Sequence, residues 1–195
     1  MRPYQPDLSP DLNRRKALIL AAAATAFGAY PGVSAAARAE ELAQNAHLAL
    51  DSLYATRPET RALGQKAMAI LVFPEIVKAG LIVGGQGGEG AMFVHDRAIA
   101  FFNIFAASYG LQAGAQKFSY AMFFMNQKAV DYAKSSNGWS FGSGPSVVLI
   151  DEGAAKNLNT TTLRKDVYAV AYGQKGLMAG LSLEGSKISR IYPKT

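Results

Sequence analysis

Gly138-Trp139-Ser140-Phe141-Gly142 has the spacing of a hydrolase nucleophile elbow, in which a strained strand-to-helix turn lifts a serine hydroxyl toward a general base. That chemistry needs a histidine downstream of the serine in the elbow's own fold. Both histidines of this chain, His47 and His95, precede Ser140, and the serine follows a predicted helix end and precedes a predicted strand, the reverse of the required context. Gly85-x-Gly87-x-x-Gly90 matches the dinucleotide fingerprint, whose glycines let a pyrophosphate approach a helix N-terminus. The next residues, Ala91-Met-Phe-Val-His-Asp-Arg97, are β-prone with no N-cap and no helical period, and no acidic residue stands ~20 positions on, where the ribose would be held. A pair of strands bent by glycine accounts for the same residues.

The remaining titratable groups do not assemble a centre. Two lone histidines without cysteine or an i, i+4 partner make a poor metal site. His47 falls on the apolar side of a helix, and His95 ends a strand beside Asp96 and Arg97. Paired carboxylates occur at Glu40-Glu41, a helix start, and Asp151-Glu152, a turn, where acidic residues are favoured for local reasons. The absence of cysteine excludes disulfides, thiol catalysis, thiolate metal sites and a lipid-modified N-terminal cysteine. The expectation is a protein with no catalytic residues, no metal and no cofactor.

The elements that would position any site are legible in outline. Met1 to Lys16 is polar and ends in Arg14-Arg15-Lys16; Ala17 to Tyr30 is an apolar run of 14 residues; Pro31 to Ala39 closes with Ala37-Arg38-Ala39. This is the order of an export signal, and the run is shorter than the ~20 apolar residues of a membrane-spanning helix. The arginine pair resembles a twin-arginine signal, although Asn13 and Ala17 depart from that pattern, and the general secretory route stands beside it. Residues 1–39 are expected to be a signal cleaved after Ala39, with Ala36 as the second choice, and 40–195 a single domain without a transmembrane span. The formal charge of +6 shrinks once the leader is set aside, since 15 basic face 12 acidic residues from Glu40 onward. With no basic patch interleaved with aromatics, nothing points to nucleic acid.

Leu42, Ala43, Ala46, Ala49, Leu50, Leu53 and Tyr54 recur at helical spacing, with an acidic and polar opposite face, which predicts an amphipathic helix over Glu40 to Ala55 docked on the protein's own core. Pro58 starts a short helix to about Gly64. Ala67 to Phe73 reads as a strand that Pro74 stops, followed by the segment Lys78 to Gly90, in which six of thirteen residues are glycine. Its signature returns as Gly110-Leu-Gln-Ala-Gly114 and Gly176-Leu-Met-Ala-Gly180. Ala98 to Ala106 and Phe118 to Met125 are apolar on both faces, so each must be covered on both. Asn126 caps a helix with an Ala129, Val130, Ala133 stripe. Ser146 to Ile150, Asp166 to Tyr172, Leu177 to Glu184 and Lys187 to Tyr192 read as strands, the C-terminal third forming an antiparallel meander. The predicted class is α+β: a bent antiparallel sheet closing toward a barrel or sandwich, with two or three helices packed on it.

In this order the chain resembles the SYLF-domain family, in its exported bacterial form. The resemblance runs from about Arg61 to Tyr192. It is carried by Lys78-Ala-Gly80 leading into the glycine segment, Ala107-Ser-Tyr-Gly-Leu-Gln-Ala-Gly-Ala-Gln116, Gly138-Trp139 with Gly144-Pro-Ser-Val-Val148, and Val167-Tyr168 through Gly173-Gln-Lys-Gly-Leu-Met-Ala-Gly-Leu-Ser-Leu-Glu-Gly-Ser-Lys187. The resemblance implies a lipid-binding module, associated with phosphoinositides in eukaryotes and with actin filaments in the yeast members. Its implication here is non-enzymatic binding of anionic phospholipid by an exported, periplasmic or secreted protein that no lipid anchors. A structural envelope protein with a protein partner, actin by homology label, is the alternative, and a cryptic serine hydrolase a more remote one.

Lipid phosphate calls for cations placed beside free backbone donors, which glycine-rich turns supply. Lys78 precedes the glycine segment, Lys175 is expected in a turn from Gly173 to Gly176, and Lys187 follows the Gly185-Ser186 turn. These are the candidate headgroup ligands. Arg190, on the opposite side of its strand from Lys187, and Lys66, at a helix end, are secondary candidates.

Overall fold

A computed structural model describes residues 34–80, 83–109, 114–135, 138–150, 164–176 and 185–193. Among the described residues, three helices and eight strands make an α+β fold in which one curled, mixed sheet forms a half-barrel. The sheet order is β5-β8-β3-β2-β1-β4-β7-β6, with β1 Ala69–Gly80, β2 Val83–Val94, β3 Arg97–Tyr109, β4 Gly114–Phe124, β5 Trp139–Ser140, β6 Val147–Ile150, β7 Val167–Gly176 and β8 Lys187–Ile191. Helix α1 is Ala35–Thr56, a 3-10 turn covers Pro58–Thr60, α2 is Arg61–Lys66 and α3 is Gln127–Ser135.

Both faces of the sheet carry apolar packing, the outer one along only part of its strands, so that Phe105 of β3 stays 61 % exposed where a strand apolar on both sides is expected to be covered. On one face, the inner, Leu71, Phe73, Ile76, Met92, Phe102, Ile104, Phe118, Tyr120, Met122 and Phe124 meet Ala129, Val130 and Ala133 of α3 and Trp139 of β5. On the other, the outer, Val72, Ala91, Phe93, Ala121, Phe123 and Tyr168 receive Ala46, Leu50 and Leu53 of α1 and Leu63 of α2. The amphipathic first helix therefore docks on its own sheet. Asn126 caps α3 through its side-chain oxygen, which accepts from the Ala129 N–H at 2.9 Å.

Several boundaries differ from the sequence reading. Pro74 does not stop β1, which continues to Gly80. The registers with β2 and β4 both shift around it, between Val72 and Glu75 on one side and Phe73 and Ile76 on the other, so the proline sits in a β-bulge. A bulge removes the need for its missing N–H. The Ser119 hydroxyl donates to the Pro74 carbonyl at 2.7 Å and closes the gap. Helix α1 begins at Ala35 and so runs through the expected cleavage position, and the second helix reaches Lys66 through a 3-10 start.

The C-terminal third is not a simple meander. β7 pairs with β4 and, in parallel, with β6, while β8 pairs with β3 and β5 on the opposite flank of the sheet. A parallel pair needs a crossover of a dozen or more residues, and the 16 between Ile150 and Val167 allow it. The predicted strand over 177–184, the turn at 151–153 and most of the predicted signal lie outside the described residues.

Candidate functional site

The glycine-rich segment becomes β1 and β2 of an antiparallel pair, and the direction of each side chain is set by register. Directly opposed residues project to the same face. Lys187 opposes Phe105, Phe105 opposes Gly87, Gly87 opposes Val77, Val77 opposes Lys117, and Lys117 opposes Lys175. One transverse row thus crosses six strands on the outer face, beyond the part that α1 covers. Lys117, Lys175 and Lys187 are exposed, Phe105 is 61 % exposed and Val77 40 %.

Flanking rows on the same face differ in character. Toward the Gly80 and Gly114 strand ends stand Ala107, Gly85, Ala79 and Ala115, all small. Toward the helices stand Ser189, Asn103, Glu89 and Glu75. Both acids are engaged: Glu75 with the Lys117 ammonium at 2.9 Å and Glu89 with the Arg38 guanidinium of α1 at 3.1 Å. Each pair is half-exposed and contributes ~1 kcal/mol or less.

The inner face at the same level is polar and buried. Gln86, Lys78 and Gln116 oppose one another across β2, β1 and β4, and the Gln86 amide donates to the Ser186 hydroxyl at 3.1 Å. Lys78 is 9 % exposed and lies in this inner row, on the other side of the sheet from Lys175 and Lys187. The five residues expected to meet a headgroup are therefore divided. Lys175 and Lys187 share the outer row. Arg190 is half-buried on the inner side, its guanidinium 5.1 Å from the Tyr192 ring and donating to the Lys134 carbonyl of α3 at 3.4 Å. Lys66 is exposed in the last turn of α2.

Lys175 is not in a turn. β7 continues through it, and Gly173, with φ +66°, lies where the register against β4 slips, so a bulge and not a hairpin places this lysine. Lys117, Phe105 and Val77 escape sequence reasoning, although the alternation of Lys117 with Gln116 and Phe118 already sets it apart from the core side of β4.

The other chemically suggestive patterns find no catalytic context. Gly85-x-Gly87-x-x-Gly90 lies inside β2, which runs into a β-turn and β3 rather than a helix. Ser140 is an exposed residue of β5 opposite Lys187, and it leads into a turn and β6, not the helix of a nucleophile elbow. His47 packs its ring 4.2 Å from Phe93, with Nε2 3.2 Å from the Asp96 carbonyl. His95 occupies the β2–β3 turn at φ +53°, a conformation histidine tolerates better than most non-glycine residues. Both line a cleft of about 550 Å³ between α1, α2 and the turn, and among the described residues no group of three ligating side chains could hold a metal.

The Asp166 carboxyl is held below the usual carboxylate range by the Ser146 backbone N–H and hydroxyl, at 2.8 and 2.7 Å, and by the Asn126 amide at 2.8 Å. It ties the start of β7 to the cap of α3. Burial alone pushes the Tyr120 phenol far up.

Residues 105–192 match the family model Ysc84, described as Las17-binding protein actin regulator. This match is to the SYLF domain family that the sequence resembles. The matched segment contains β3 from Phe105 onward, β4, α3 and all later strands, hence Lys117, Lys175, Lys187 and Phe105, whereas β1 and β2 precede it. The SYLF family is not a known enzyme family. No curated protein matches the chain significantly. No described helix is long and apolar enough to cross a membrane.

Proposed function

We propose that this SYLF-type protein binds anionic phospholipid, phosphoinositide-like headgroups included, by surface contact and without turnover, in a periplasmic or secreted location reached by export. The observation that supports the reading is the grouping of Lys117, Lys175 and Lys187 as exposed cations on one sheet face. Co-sedimentation with vesicles tests it. Binding should rise with phosphatidylglycerol, cardiolipin or phosphoinositide content and fall with salt as the charges are screened. Equal sedimentation with neutral phosphatidylcholine vesicles, or none with any composition, rejects it. Charge reversal belongs at Lys175 and Lys187, because the buried position of Lys78 couples its replacement to folding.

The family description favours one second reading, a protein partner. Saturable co-sedimentation with actin filaments by a protein indifferent to vesicles would select it. Export is tested by the intact mass of protein recovered from the periplasm or medium: a chain starting at or near Glu40 supports it, and retention of Arg14-Arg15 counts against it.

A further inference from the structure

We infer that the lipid site is not a pocket for one headgroup but an extended platform, the outer-face row Lys187–Phe105–Gly87–Val77–Lys117–Lys175, which docks on an anionic bilayer surface. The inference rests on the lipid-binding reading and specifies its surface and stoichiometry.

Three features of the row carry it. The first is span. Lys175 and Lys187 are five strand spacings apart, about 24 Å along the sheet, well beyond the reach of a single phosphorylated headgroup, so cations at both ends engage different lipids. The second is the middle. Phe105, 61 % exposed, and Val77 stand between the lysines with only Gly87 between them, and the next row outward is Ala107, Gly85, Ala79 and Ala115. An aromatic ring flanked by lysines over a low surface suits the boundary between headgroups and acyl chains, where an apolar body inserts while ammonium groups stay with phosphate.

The third is charge. Lys117 and Lys175 are directly opposed across β4 and β7, and Glu75 answers only Lys117, at 2.9 Å, so the charge left for an anionic surface on this flank is that of Lys175. Among the described residues, the acids of this face are already engaged, Glu75 by Lys117 and Glu89 by Arg38, and Lys175 and Lys187 make no ion pair. Helix α1 starts one row inboard, where Arg38 meets Glu89, so a bilayer reaches the platform obliquely from the Gly80 and Gly114 strand ends.

Phe105→Trp in the full chain is the direct probe, because the single native tryptophan, Trp139, is 2 % exposed and contributes a constant background. Vesicles of phosphatidylglycerol with phosphatidylcholine should shift the emission of the introduced indole to the blue, and brominated acyl chains should quench it. Soluble inositol hexakisphosphate should displace the protein only weakly. Lys117→Gln, Lys175→Gln and Lys187→Gln should each weaken vesicle binding about fivefold, and the triple variant on the order of a hundredfold. These exposed sites leave the fold intact, which unfolding midpoints check.

Co-sedimentation of the Phe105→Trp variant with its new indole unshifted and unquenched would overturn the platform while leaving lipid binding standing. Failure of the wild-type protein to sediment with any vesicle would remove both. Blue emission from the introduced indole before vesicles are added also overturns the inference. If it depends on protein concentration, a second copy covers the face; if not, another segment of this chain does.

Discussion

Gly90→Ala should destabilise the protein, while Gly87→Ala, three residues away in the same strand, should not. A Cβ at Gly90 would lie 2.5 Å from the Val72 carbonyl oxygen and 2.7 Å from Phe73 Cδ1, both fixed by the bulge at Pro74. Neither can retreat, since Val72 is paired to Ala91 on one side and Ala121 on the other and Phe73 is fully buried. Overpacking of this kind costs ~1–3 kcal/mol. Stiffening of the unfolded chain returns ~0.4–1 kcal/mol. The net loss is roughly 1–2 kcal/mol, which for a domain of this size lowers Tm by about 2–8 °C. At Gly87 the nearest atom to an added Cβ is the Ile104 carbonyl oxygen at 3.6 Å, an ordinary contact, so the chain-entropy gain survives and stability should hold or rise by ~0.5 kcal/mol. Urea unfolding followed by far-ultraviolet circular dichroism reads both, as midpoint shifts at constant slope. Equal midpoints for the two variants, or the reverse order, would refute the assignment of Gly90 to the compressed face.

Asp166→Asn should lower stability at neutral pH and converge with the parent protein in acid. A carboxyl whose folded pKa is depressed stabilises above its unfolded value, near 3.9, and loses that contribution as pH falls through the folded value, so paired denaturation curves should close on each other below about pH 4. Tyr120 should resist ionisation in alkaline titration monitored by near-ultraviolet absorbance, and release its proton only with unfolding; a phenolate at its ordinary pKa in folded protein would contradict its burial. A chain starting at Glu40 should unfold within ~1 kcal/mol of one starting at Ala35, because none of the five residues removed is buried and the lost Arg38–Glu89 pair is half-exposed. A larger loss by chemical denaturation would mean that the first turn of α1 does more than the surface pair implies.

What the sequence disclosed depended on the range of the interaction. The apolar stripe of α1, the Asn126 cap and the Ala129–Val130–Ala133 stripe of α3 are local signals, and each appears in the structure where its residues put it. Pro74 misleads because its cost is avoidable only when neighbouring strands slip register around it, which is a property of three strands and not of the local chain. The parallel β6–β7 pair and the separation of β7 from β8 are equally non-local. The site resists sequence reading for the same reason. Lys175 and Lys187 stand out because glycines flank them, but that proximity in sequence also selects Lys78, which strand alternation turns inward. Phe105, Val77 and Lys117 become neighbours of the two lysines only through successive strand registers.

The glycine segment divides by face, and the division separates what the fold demands from what it leaves open. Gly88 and Gly90 point toward the inner core, where the bulged β1 presses on them: backbone oxygens of Glu75 and Val72 occupy the space of a side chain. Their identity is a packing requirement. Gly85 and Gly87 point outward, have ordinary room for a Cβ and no positive φ, so packing does not require glycine there. Strand stability would favour a larger residue, since glycine costs ~0.5–1 kcal/mol relative to alanine in a strand. The outer glycines keep the sheet low between Phe105 and Val77, leaving the aromatic ring and the lysine stems as the tallest features of the row. Bare backbone at the centre of an exposed face is what a docking surface uses and a self-contained sheet does not need.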